Sequence, residues 1–126
     1  MIIGFRHAAL VVGNMRRAIK FYRDTLGLRV EKIITLKGRH LEVLFNKKGI
    51  ALEYAKLYAP NQRKTDAPVF ELHCWKNPKI RPKKGQGHIS FTVKNLDLEY
   101  KRLSRLGVEF ISRPLHSPVT PTRLCF

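Results

Sequence analysis

Two of the five histidines stand at the head of segments with the same shape. HAALVVGNM (7–15) and HISFTVKNL (88–96) align at an offset of 81 residues, each a strand pattern that begins at the histidine and runs to an asparagine, Asn14 or Asn95, one residue before its end. Successive side chains of a strand point to opposite faces. His7 therefore shares a face with Ala9 and Val11, and His88 with Ser90 and Thr92. In the run 69–75, Glu71, His73 and Trp75 fall together, opposite Phe70, Leu72 and Cys74. A face carrying two histidines, a glutamate, a serine and a threonine is costly to bury dry, at a few kcal/mol for each unsatisfied group. It suits a wet cleft or a metal site. Imidazole and carboxylate serve the borderline divalent ions, so His7, Glu71 and His88 are candidate ligands for Zn²⁺, Ni²⁺, Co²⁺, Mn²⁺ or Fe²⁺. His73 reads as a hydrogen-bonded wall residue rather than a proton shuttle. His40 and His116, in loop-like or terminal stretches, receive no role. Cys74 should face the helix side and be inert, and Cys125 reads as a small packing residue on the last strand.

The elements that must hold these residues are duplicated as well. In the first half Asn14 is an N-cap candidate, and Met15, Ala18, Ile19, Tyr22 and Leu26 follow at helical spacing to Gly27, which suits the left-handed C′ position. In the second, Asn95 caps, Leu96, Tyr100, Leu103 and Leu106 form the stripe to be buried, and Gly107 ends it. A β-rich stretch follows each helix, at 28–36 and 108–111. Between the halves, 50–58 and 69–75 read as a hairpin joined by the turn-forming 59–64. Residues 38–45 fit a short helix or turn. The polar, basic, proline-containing stretch after Trp75 reads as a linker. The expected organisation is one domain, with a first module at about 1–76, a linker at about 77–86 and a second module at about 87–126.

Composition narrows the function classes. Twenty-five Lys and Arg against nine Asp and Glu give a formal charge of +16 over 126 residues. The cations are spread through the chain, in clusters such as Arg16-Arg17, Lys47-Lys48, Arg63-Lys64 and 76–84. They lack the aromatic interleaving of a single-strand-binding platform. A solvated basic surface is the expectation over a nucleic-acid footprint, and it is compatible with an anionic small substrate. No apolar run approaches the roughly 18 residues of a membrane span. The N-terminus enters a strand pattern without a secretory signature, so a cytoplasmic location is expected, where two cysteines stay reduced.

The stretches FRHAALVV (5–12), FYRDTLGL (21–28), FELH (70–73), GHISFTV (87–93) and GVEFI (107–111) resemble the vicinal-oxygen-chelate superfamily, also called the glyoxalase/bleomycin resistance/dioxygenase fold. The resemblance implies an α+β fold of two paired βαβββ modules forming a cupped, incomplete barrel around one divalent metal. His7, Glu71 and His88 match three of the family's ligand places. Glu53, in IALEY (50–54), is the rival carboxylate. The fourth place, on a last strand after an Asp-Pro-x-Gly-Asn turn, has no counterpart here, so the second module is expected to lack its last strand. The activity implied is a glyoxalase-type, metal-dependent lyase or isomerase acting through an enediolate on a small substrate with vicinal oxygens. A ring-cleaving dioxygenase and a non-catalytic small-molecule (antibiotic) binding protein are the alternatives, and no catalytic residue is assigned. An open sheet edge would favour a homodimer.

Overall fold

The computed structural model describes residues 1–83, 85 and 87–126, with the backbone alone at 89 and 91. The elements are β1 (Ile2–Val11), α1 (Met15–Ile19) continued by a π-helical stretch (Lys20–Thr25), β2 (Arg29–Lys37), α2 (Arg39–Phe45), β3 (Ala51–Tyr58), β4 (Val69–Trp75), β5 (Gly87–Val93), α3 (Leu96–Arg105), β6 (Leu115–His116) and β7 (Arg123–Leu124). Five strands form one open sheet in the order β2-β3-β4-β1-β5, and β6 and β7 pair apart from it. β2, β3 and β4 run antiparallel in succession, β1 lies parallel to β4, and β5 lies antiparallel to β1. The fold is α+β with an unclosed sheet, and the second half ends in two short strands.

Alternation gives the sheet two different faces. On one, Met15 and Ile19 of α1 pack with Ala55, Leu57, Leu72 and Cys74, flanked by Leu10, Val12 and Phe70. Cys74 thus lies on the helix side, as its parity requires. On the other, Val11, Leu52, Tyr54 and Trp75 meet Leu41 and Leu44 of α2 and Ile50. Residues 38–45 do contain the short helix, because Leu41 and Leu44 share the stripe that covers this apolar end. Burying side chains of this size contributes about 1.5–3 kcal/mol each.

Both helix caps form as read. The Asn14 side chain accepts from the Arg17 N–H at 2.9 Å, and Asn95 accepts from Leu98 N–H at 3.1 Å. Gly27 and Gly107 take φ of 73° and 85°, which a side chain would resist.

Three expectations need correction. The first helix does not keep its α-helical phase: after Ile19 the backbone widens, with Leu26 N–H donating to Phe21 and Leu28 N–H to Tyr22. The added residue per turn rotates Leu26 outward, where it is 53% exposed. In α3, Leu96, Tyr100 and Leu103 are only half-buried and Leu106 is exposed. The buried residue is Glu99, clamped by Arg102 and the N-terminal ammonium. The Arg102 hydrogen bonds, then that of the N-terminus, hold its carboxyl at about 2. Residues 108–111 are not a strand. Val108 and Ile111 have the propensity, but no ladder forms there among the described residues, and the Ser112 N–H instead donates to the carbonyl of Phe126. A helix-side facing for Ile89 and Phe91, which strand parity opposite His88, Ser90 and Thr92 leads one to expect, falls outside the described residues, as do the linker residues Lys84 and Gln86. No helix among those described is long and apolar enough to cross a membrane.

Candidate metal centre

Three adjacent strands, β4, β1 and β5, carry the candidate residues. Ala9 pairs with Glu71 on one side and His88 on the other, so glutamate, alanine and histidine form one row across the sheet. Ala9 is small and buried, and it makes a floor between two longer side chains. His7 sits one pleat away, between Val69 and Ser90, and leans over that floor. Gly87 lets β5 approach: a Cβ there would stand 1.5 Å from the Ala9 carbonyl oxygen.

The result is convergence. His7 Nε2 and His88 Nε2 are 2.5 Å apart, one neutral ring donating to the lone pair of the other, with ring centroids at 4.7 Å. Glu71 Oε2 accepts from His73 Nε2 at 3.0 Å, while Oε1 lies 3.7 Å from His7 Nδ1 and accepts no hydrogen bond among the described residues. One ligand atom from each of His7, Glu71 and His88 lies within 4.8 Å of the others. His73, opposite Val11, is the wall residue its place in FELH suggests, 6% exposed and bonded to the carboxylate.

The electrostatics favour neutral rings beside an ionised carboxylate. Burial is the main reason that His88 falls to about 4, reinforced by His7 and His73; Glu71 opposes it. His7 is lowered by burial too, against Glu71, with His73, Arg6 and Lys56 adding to the fall. Burial pushes the Glu71 carboxyl upward, but the His73 hydrogen bond and the charges of the three histidines outweigh it, so the group ends below its ordinary value. Neutral imidazoles beside a carboxylate are what a divalent ion needs, since ligands must be deprotonated; the ring that donates at Nε2 has only to carry its proton on Nδ1 instead.

The donor set fits such an ion. With metal–nitrogen bonds of about 2.1 Å, two imidazole nitrogens on one tetrahedral ion stand about 3.4 Å apart, so the His7–His88 contact has to open by about 0.9 Å. Glu53 is not part of the cluster. It pairs with Cys74 on the α1 side and binds Lys76 Nζ at 2.6 Å.

Other residues reach the same face without a sequence signal of their own. Tyr54 is opposite His73 with ring centroids 6.3 Å apart, and burial followed by Glu71 and Glu31 raises its phenol. Lys56 is opposite Glu71. The parity of ALEYAKLY (51–58) puts Leu52, Tyr54 and Lys56 on one face, but only the β3–β4 register shows that it is the histidine face. The Phe126 ring meets His88 at a tilt, with centroids 5.0 Å apart, and Phe45 edge to face at 4.9 Å, contacts that strand patterns do not encode. Trp75 Nε1 is buried without a partner among the described residues. Cys125 lies just beyond β7, half-buried, its thiol raised by burial.

A profile of the Glyoxalase/Bleomycin resistance protein/Dioxygenase superfamily matches residues 4–124. Comparison with curated proteins gives no match. Among solved structures, a variant methylmalonyl-CoA epimerase from Streptomyces coelicolor in complex with 2-nitronate-propionyl-CoA is 17% identical and superposes at a TM-score of 0.72, over 100% of this chain and 87% of that one. Methylmalonyl-CoA epimerase from Mycobacterium tuberculosis is 19% identical at a TM-score of 0.64, over 97% and 76%. A hypothetical protein from Bacillus halodurans C-125 is 18% identical at 0.65, over 97% and 81%. At these identities the likeness is one of fold.

Proposed function

Because the chain belongs to the Glyoxalase/Bleomycin resistance protein/Dioxygenase superfamily, we propose that it is a metal-dependent lyase or isomerase that moves a proton beside a carbonyl of a small substrate with vicinal oxygens. One observation carries the reading: two histidines 81 residues apart bring Nε2 atoms within 2.5 Å of each other beside a buried carboxylate. His7, Glu71 and His88 would hold one divalent ion, Zn²⁺, Ni²⁺, Co²⁺, Mn²⁺ or Fe²⁺, and three protein ligands leave positions for water or substrate. When bound, the ion supplies a Lewis acid for two adjacent substrate oxygens.

The chain's own residues do the rest. His73 positions Glu71 and keeps one carboxylate oxygen occupied, which directs the other towards His7. Burial keeps His7 and His88 neutral and available. Tyr54, raised, retains its proton and has a hydroxyl without a hydrogen bond among the described residues, suited to donate to a substrate oxygen. The epimerases of similar fold, one of them in complex with methylmalonyl-CoA, support the isomerase side of the reading.

The test is calorimetric titration of metal-stripped protein with Zn²⁺, Ni²⁺, Co²⁺ and Mn²⁺. Wild type should bind at one site, and His88→Ala should lose that binding while keeping its fold, since the ring faces the cup rather than the α1 core. If no ion binds the wild type more tightly than His88→Ala, the metal centre is wrong. The same reading includes a cytoplasmic enzyme whose modules meet at about 77–86. It also includes a homodimer formed through the outer edge of β5, the last strand of the sheet order, which has no strand beyond it among the described residues.

A further inference from the structure

Among the described Lys and Arg residues, all but three are exposed. The exceptions are Arg6, Lys56 and Arg81, the last in the segment joining β4 to β5. Arg6 adjoins His7 on β1, and Lys56 lies on β3, on the far side of β4 from it. Phe5 pairs with Phe91 and His7 with Ser90, so Arg6 is the extra residue of a β-bulge, a device that re-aims a side chain. Lys56 stands directly across from Glu71, on the face that carries the histidines. Both cations are felt at His7, and Arg6 is felt also at Tyr58, whose hydroxyl donates to Glu31 at 3.2 Å. Neither Arg6 nor Lys56 makes a hydrogen bond or ion pair within the described residues. Two half-buried cations with no hydrogen bond or ion pair of their own among the described residues, beside histidines that are themselves only partly buried, are arranged for an anion that comes from outside.

We propose that Arg6 and Lys56 form an anion seat at the rim of the candidate metal centre, and that the substrate is a small organic acid whose carboxylate is held there. The assignment rests on the metal-centre reading for what lies beside the seat, not for the seat itself. A planar guanidinium matches a carboxylate bidentately, with the ammonium as a second point charge. Glu71, ionised opposite Lys56, disfavours a dianion, so a carboxylate is preferred to a phosphate of the same size.

The experiment uses the whole 126-residue chain, metal-stripped, and follows side-chain and amide NMR shifts on titration with malonate, and separately with inorganic phosphate. Malonate should bind wild type, and Arg6→Gln and Lys56→Gln should each weaken it about tenfold or more, the usual weight of a charge-assisted hydrogen bond. The double variant Arg39→Gln/Lys47→Gln removes two remote charges and should bind as wild type does. Equal loss in the remote variant, or no loss in either seat variant, overturns the proposal. Tighter binding of phosphate than of malonate overturns the carboxylate assignment. If Arg6→Gln loses its bulge and unfolds, Lys56→Gln, on a regular strand, decides. His88→Ala should keep malonate binding while losing the metal, so failure of the seat and failure of the metal centre are separate outcomes.

Discussion

Without metal, the protein should lose stability as pH falls from about 6.5 towards 4, and a definable part of that loss should come from His88. In the unfolded chain this imidazole takes its proton near 6.5; in the folded protein burial beside His7 and His73 delays protonation to about 4. Between those values the unfolded state binds more protons, so stability rises with pH across the window and is fully present above it. At about 1.4 kcal/mol per pH unit the displacement corresponds to about 3 kcal/mol as a ceiling. The ring is only half-buried, and solvent screening reduces this to about 1.5 kcal/mol. Glu71, lowered from 4.5, acts in the same direction but only below that value, so the two windows separate. Urea midpoints measured in chelator at several pH values between about 4.5 and 7.5, for wild type and His88→Ala, isolate the contribution. The wild type should lose about 1.5 kcal/mol more than the variant on acidification. Parallel curves for the two proteins would refute the placement of His88 in a desolvated pair with His7.

Gly87→Ala should cost about 2–3 kcal/mol and abolish metal binding, because its Cβ would meet the Ala9 carbonyl carbon at 2.6 Å as well as its oxygen, and β5 must then move away with His88. Thermal denaturation together with the Zn²⁺ titration checks this, and a variant with wild-type behaviour in both contradicts the close approach of β5 to β1. Light scattering at high micromolar concentration should give a mass of twice 14.6 kDa. A monomer under those conditions excludes dimerisation through β5.

Much of the candidate site's arrangement was legible along the chain because strand parity is a local property. HAALVVGNM and HISFTVKNL each state which neighbours share a face, and FELH places Glu71 and His73 together. Helix starts were equally local: Asn14 and Asn95 cap within three residues of themselves. Where local pattern competed with surroundings, it failed. The stripe from Met15 to Leu26 does not contain the π-helical widening. Among the described residues no further strand of the sheet lies beyond β5 to cover Leu106, and residues 108–111 have strand propensity without a partner ladder.

The chain by itself determined the inventory: two equivalent histidines, a carboxylate between them in sequence, and the faces on which each must lie. Tertiary structure decided which faces meet. Only the order β3-β4-β1-β5 sets Glu71, Ala9 and His88 in one row, turns Glu53 away to Lys76, and brings Lys56 opposite Glu71. Only the bulge at Arg6 and the absence of a side chain at Gly87 fix how closely His7 and His88 approach. Register between strands distant in sequence depends on the summed packing of both sheet faces, so no single segment encodes it.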